Sequence, residues 1–236
     1  MLNYFKELIK NNKWLVVTLL LIPVFFTGNR YEFGFEYDLV FHIMIWPVSA
    51  YVIFNYFFIK KKKPSKLMIA FLVYNAWMIL EQFFRARWFT YMNYNNIMRG
   101  LTLALLLETY VEDDLLTFIK GILLNFELAV YPELISLIIN YIKGQPKADS
   151  FLGYYNNVIV FLFPAICVGM IYIKLTGKKT RGLILSAVSV VCAVMSKAAT
   201  PLGSMMGFLG LLALEMFLVY VLHIKRLDCG LGFFLL

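Results

Sequence analysis

Long apolar runs separated by short basic ones set the pattern of this chain. A helix rises 1.5 Å per residue, so crossing a hydrocarbon core of about 30 Å takes about 20 residues. The first run, Trp14 to Phe26, follows Lys6, Lys10 and Lys13 in the manner of a secretory signal. Thr27, Gly28, Asn29 and Arg30 after it form no small-x-small cleavage site, so the pattern predicts an uncleaved first span. Tyr37 to Ile59 predicts a second span ending on the lysine run 60–63, and Leu67 to Phe84 a third, closed by Arg85 and Arg87.

The middle of the chain is less regular. Ile97 to Val111 is short and contains Arg99 and Glu108, which fits either a short span or an interfacial segment. Leu115 to Ile142 carries Lys120, Glu127 and Glu133; a span near Ile122 to Ile142 with Leu115 to Gly121 as a lead-in accounts for it. Phe151 to Ile173 predicts a sixth span, followed by the basic loop KLTGKKTR at 174–181. Gly182 to Met195 is a short seventh, and Leu202 to Ile224 an eighth, stopped by Lys225 and Arg226.

Charge checks this reading independently. With the N-terminus inside and eight alternating spans, the inner segments hold three basic residues before Trp14, five at 60–66, Lys120, four at 174–181, and Lys225 with Arg226. Arg30, Arg85, Arg87, Arg99, Lys143, Lys147 and Lys197 fall outside. The four strongest basic clusters share one side, as the positive-inside rule requires. Spans four and five lie between two of those clusters, so the expectation is eight spans, or six with an interfacial or re-entrant middle.

Composition agrees. Of 236 residues, 61% are hydrophobic and only 15% charged, against about half and about a quarter in ordinary globular proteins. The chain therefore reads as an all-α polytopic integral membrane protein, a single transmembrane helical domain over 1–236 in a bacterial cytoplasmic membrane. Its net charge of +8 lies in runs beside apolar segments, which indicates retained loops rather than nucleic-acid binding. Cys167, Cys192 and Cys229 have no metal-ligand or disulfide spacing and read as small buried hydrophobes.

Several polar residues interrupt the spans. Glu81 and Arg85 stand four apart and fit a helical pair; the RARWF run at 85–89 suits either interfacial anchoring or an anionic-ligand site. Glu127 and Glu133 flank Pro132, which should kink the helix; intramembrane carboxylates mark functional sites unless they pair, as Glu127 could with Lys120, or reach the surface. His42 suits helix packing better than metal ligation, and Glu215 fits pairing or snorkelling. GYYNN at 153–157 opens span six on the outer side, where Asn156 and Asn157 suit sugar hydroxyls or a helix cap. Lys197 lies in a small-residue turn at the outer boundary, as a snorkelling lysine or a contact for an anionic headgroup. Gly203, Gly207 and Gly210 after it allow close helix approach.

Residues 151 to about 222 resemble the core segment of the O-antigen polymerase and ligase superfamily, which includes Wzy-like capsule polymerases. The elements that carry the resemblance are FLGYYNN, Pro164, KLTGKKTR, MSKAATPLGSMMG and FLGLLALEMF. The resemblance implies a cell-envelope glycosyltransferase that takes a glycan from an undecaprenyl-pyrophosphate carrier and joins it to a polysaccharide or acceptor lipid on the outer face. It implies no nucleotide sugar, metal or other cofactor. Its partners would be membrane lipid, the polyprenyl-linked glycan and other polysaccharide-assembly proteins. In the family a Ser–Arg turn meets the pyrophosphate; the matching positions here are Ser196 and Lys197, where lysine keeps the charge and loses the bidentate fork. Arg87 and Arg99 are further phosphate candidates on charge and topology alone.

The departures are specific. The resemblance implies further spans and an external loop with a histidine base, but the chain contains only His42 and His223, and ends in the atypical tail 225–236. The expectation is a truncated member, inactive alone, with no catalytic residue assigned. A transporter or flippase-like protein built around Glu127 and Glu133, and an accessory membrane protein without chemistry, are the alternatives.

Overall fold

The computed structural model describes residues 12–26, 37–85, 91–111, 114–145, 150–152, 159–196 and 203, and every regular element among them is helical. The helices are α1 (Lys13–Phe26), α2 (Tyr37–Phe54), α3 (Lys66–Arg85), α4 (Tyr91–Val111), α5 (Leu115–Ile142), α6 (Ile159–Thr176) and α7 (Lys179–Met195). A π-helical turn, Asn55–Ile59, continues α2 to the lysine run. Among the described residues α5 alone is long and apolar enough to cross a membrane; at 28 residues it extends about 42 Å. Other apolar stretches, Lys13–Phe26, Ile43–Ile59, Met68–Trp77 and Phe161–Thr176, are shorter. The predicted eighth span lies outside the described residues apart from Gly203.

Local chemistry sets several helix ends. Ser65 caps α3 by accepting the Met68 N–H at 3.1 Å, and Asp114 caps α5 by accepting the Thr117 N–H at 3.1 Å and hydroxyl at 2.6 Å. Gly144 (φ 71°) and Gly177 (φ 68°) end α5 and α6 in the left-handed conformation that glycine adopts without a Cβ penalty. The helix of α5 continues unbroken through Pro132, and no break separates Leu115–Gly121 from the rest.

The chain divides into two compact units, and the division falls inside α5, between Asn125 and Phe126. In the first unit, α2 packs on α1 and α4, and α1 also meets α4. Hydrogen bonds between buried polar groups tie parts of this unit together. The Ser49 and Thr102 hydroxyls, both buried, meet at 2.7 Å. Asn125 Nδ2 donates to the Thr18 and Gly121 carbonyls at 3.1 and 3.0 Å. Gly121 is a contact point: a Cβ there would lie 2.7 Å from Val17 Cγ1 and 3.0 Å from the Trp14 carbonyl.

In the second unit α6 and α7 form an antiparallel hairpin whose connection is only Gly177 and Lys178. A Cβ on Gly169 would stand 2.8 Å from both the Gly182 carbonyl and Ser186 Oγ, so these two backbones can approach only because both positions are glycine. Large apolar side chains face outward across the described helices, including Phe58 at 66% exposure, Trp77 at 62% and Ile142 at 79%.

Candidate functional site

Lys197, Arg87, Asn156 and Asn157, four of the six residues expected to meet substrate, lie outside the described residues. Ser196 is fully buried as the last residue of the hairpin; its hydroxyl donates to the Ala193 carbonyl at 2.9 Å and its N–H to the Cys192 carbonyl at 2.9 Å. It terminates α7 immediately before Lys197. Arg99 Nε donates at 2.7 Å to the Val24 carbonyl in the last turn of α1. A cation there satisfies an orphan carbonyl and complements the negative end of the helix dipole. The side chain of His42 and that of Arg85 lie outside the described residues, so the Glu81–Arg85 pair is not described.

The second unit assembles its polar residues from distant parts of the chain. Glu133, fully buried on α5, accepts the Ser150 hydroxyl at 2.6 Å on Oε1 and the Leu152 N–H at 2.8 Å on Oε2. The Phe151 N–H donates to Ser136 Oγ at 3.0 Å. Glu133 precedes the end of α5 by nine residues, so the non-helical segment Ser150–Leu152 folds back along α5 by roughly 13 Å. A buried backbone without helical partners needs other acceptors, and Glu133 and Ser136 supply them. Gly153–Asn157 follows this clamp directly in sequence.

Glu127 takes a different partner from the one its helix suggests. Arg181, in the first turn of α7, donates Nε to Glu127 Oε1 at 2.6 Å and Nη2 to Oε2 at 2.5 Å, a bidentate fork that Lys120 does not make. The Arg181 guanidinium also lies 6.0 Å from the centre of the Tyr172 ring. Its bonds to Glu127 push the pKa of Arg181 further above the ordinary arginine value. A cation at a helix N-terminus opposes the macrodipole, and the Glu127 carboxylate offsets that cost. Cys192 Sγ approaches the Val130 carbonyl at 3.9 Å, a second tie between α7 and α5.

Residue type marked Glu127 and Glu133 in advance, but not their partners, which lie 54 and 17 positions further along. No sequence signal distinguished Ser150 or Arg181 from other turn and loop residues. Among the described residues no three His, Cys, Asp or Glu side chains gather where they could hold a metal ion. Chemically, the unit offers a clamped irregular segment leading into two adjacent amides, and a tight hairpin that starts two residues after those amides and ends one residue before a lysine. No protein-family model, curated protein or solved structure matches this chain.

Proposed function

We propose that the chain is a multi-pass protein of a bacterial cytoplasmic membrane that engages undecaprenyl-pyrophosphate-linked glycans in polysaccharide assembly, in the manner of a polymerase or ligase. The observation that carries this reading is the Ser150–Leu152 clamp under Glu133. Irregular backbone at membrane depth is tolerated only where it is buried in protein or lines a water-filled cavity. Here it leads straight into GYYNN, the segment suited to sugar hydroxyls.

The α6–α7 hairpin supports the same reading. Because its helices are antiparallel and joined by two residues, the start of α6 and the end of α7 share one end of the hairpin. Asn157 lies two positions before Ile159, the first residue of α6, and Lys197 follows Ser196 at the close of α7. In sequence, the amide pair proposed for the glycan and the cation proposed for the pyrophosphate thus flank the two stretches of chain that meet at this end. A cation there would stabilise the charge developing on a departing pyrophosphate.

The Glu127–Arg181 pair suits the proposed topology, since it joins the inner end of the fifth span to the loop carrying KKTR. The outward apolar side chains on α2, α3, α5, α6 and α7 suit lipid as their solvent. An ion-coupled carrier built on the two carboxylates is less favoured, because Arg181 neutralises Glu127 and Glu133 is engaged in holding backbone.

The test is a strain whose own copy of the gene is deleted and replaced by wild type, Lys197→Ala or Asn157→Ala. Wild type should restore a ladder of long glycans on gels. Each variant should shorten the ladder toward single repeats while the protein accumulates in the membrane at the wild-type level. Unchanged ladders from both variants would remove the proposed role.

A further inference from the structure

We infer that the groove between α3 and α4 binds one acyl chain of an anionic phospholipid, whose phosphate headgroup is held by the lysines at 60–63 and Lys66. The inference rests on reading α2, α3 and α4 as membrane-embedded, with the 60–66 loop at the membrane surface.

The groove measures about 420 Å³, within the range of about 300–1,000 Å³ typical of small-molecule sites. Met68, Phe71, Ala104 and Leu107 form its apolar walls, and Ser65 and Glu108 its polar end. Leu107 is exposed, so the groove opens on the side of the helix pair rather than into a sealed core. A water-soluble metabolite would gain little from such walls. A hydrocarbon chain matches them.

The loop adjoining the polar end supplies positive charge. Lys60, Lys61, Lys62, Lys63 and Lys66 lie within seven residues of sequence, and all except half-buried Lys62 are exposed. The loop that carries them is held in a definite shape. The Lys60 N–H reaches back to the Asn55 carbonyl at 2.8 Å, closing the π-helical turn, and Lys61 adopts a left-handed φ of 49°, uncommon for a residue with a Cβ. Buried Tyr56 places its hydroxyl 3.1 Å from the Lys63 carbonyl and 2.9 Å from Glu108 Oε2. Glu108 Oε1 accepts the Ser65 N–H at 2.7 Å.

Glu108, the charged residue in the groove lining, would repel a phosphate, and its bonds show why it does not dominate. Both of its oxygens accept bonds from the chain itself, and the Lys62 charge acts on it directly. It anchors the basic loop to the mouth of the groove, leaving the exposed lysines to face the headgroup. Clustered lysines beside a membrane helix attract anionic lipid. The adjoining groove adds what a bare cluster lacks, a place for one chain.

The test uses the full chain, purified in detergent with phosphatidylglycerol or phosphatidylcholine, and counts retained lipid by native mass spectrometry. Wild type should retain one phosphatidylglycerol per chain with at least a tenfold preference over phosphatidylcholine. Lys60→Gln/Lys61→Gln/Lys63→Gln should abolish the preference. Leu107→Trp, which fills the groove from an exposed position, should also abolish retention, whereas Val190→Trp on the exposed face of α7 should not. Equal retention of the two lipids by wild type overturns the inference. So does wild-type retention by Leu107→Trp, which would reduce the effect to surface charge. A chain that stays in solution without detergent would instead overturn the membrane reading, and membrane fractionation separates that outcome from loss of the lipid site alone.

Discussion

Replacing Arg181 with methionine leaves the Glu127 carboxylate in place without its fork. Glu127 is buried, at 7% exposure, and loses two charge-assisted bonds of 2.6 and 2.5 Å. Breaking a fully buried ion pair from one side costs about 3–5 kcal/mol, because a charge is left unpaired away from water. The Arg181 side chain is 38% exposed, so solvent reaches the pair and the cost should fall to about 2–3 kcal/mol. For a chain of this length that lowers the melting temperature by about 4–12 °C. The opposite change, Glu127→Gln, leaves a half-exposed guanidinium that water can solvate, and should cost about 1 kcal/mol. The double variant removes the stranded carboxylate and should be about as stable as Glu127→Gln alone. Thermal unfolding of the four purified proteins in one detergent completes the cycle. Additive single effects, with the double variant the least stable, would refute the claim that the two side chains act on each other.

Other substitutions probe other joints. Gly182→Val would set a Cβ 2.7 Å from Ile173 Cγ1, and should destabilise the hairpin by about 1–3 kcal/mol, read as lowered melting temperature and increased proteolysis near Gly177. Glu133→Ala removes the acceptor for Ser150 and Leu152 and should both lower stability by about 1–3 kcal/mol and shorten the glycan ladder; Glu133→Gln, which keeps one acceptor oxygen, should be milder in both assays. Ser49→Ala breaks the buried hydroxyl pair with Thr102, and a cycle with Thr102→Val should return a coupling of about 0.6 kcal/mol, the usual worth of such a bond between membrane helices.

The helices of the first part of the chain were legible to within a few residues, because uninterrupted apolar runs between charges leave little freedom in where a helix begins. Three boundaries were not. Helix α4 starts at Tyr91, inside the polar run Tyr91–Asn96 that no hydropathy argument includes. Helix α5 shows no separate lead-in; Gly121, where the lead-in was expected to end, lies within the helix and packs against Val17 and Trp14 of α1. Phe151 and Leu152, where the sixth span was expected to begin, are not helical, because Glu133 and Ser136 bind the Ser150–Leu152 segment. That last difference has a general cause. Periodicity reports which residues prefer lipid or core, but says nothing about which helix will lie beside which. The same gap hid Arg181 as the partner of Glu127 and gave Arg99, expected at a phosphate, a bond to the end of α1.

The proposed function turns on Lys197, next in sequence after the α6–α7 hairpin, recognising a pyrophosphate attached to a polyprenyl-linked sugar. Binding of a short-chain polyprenyl-pyrophosphate-linked sugar to the purified full chain measures this directly and does not depend on turnover. Binding should be saturable, weaken at least tenfold with Lys197→Ala, survive Lys197→Arg, and be lost when the ligand carries no pyrophosphate. Equal affinity for the pyrophosphate-free ligand, or no change with Lys197→Ala, would contradict it.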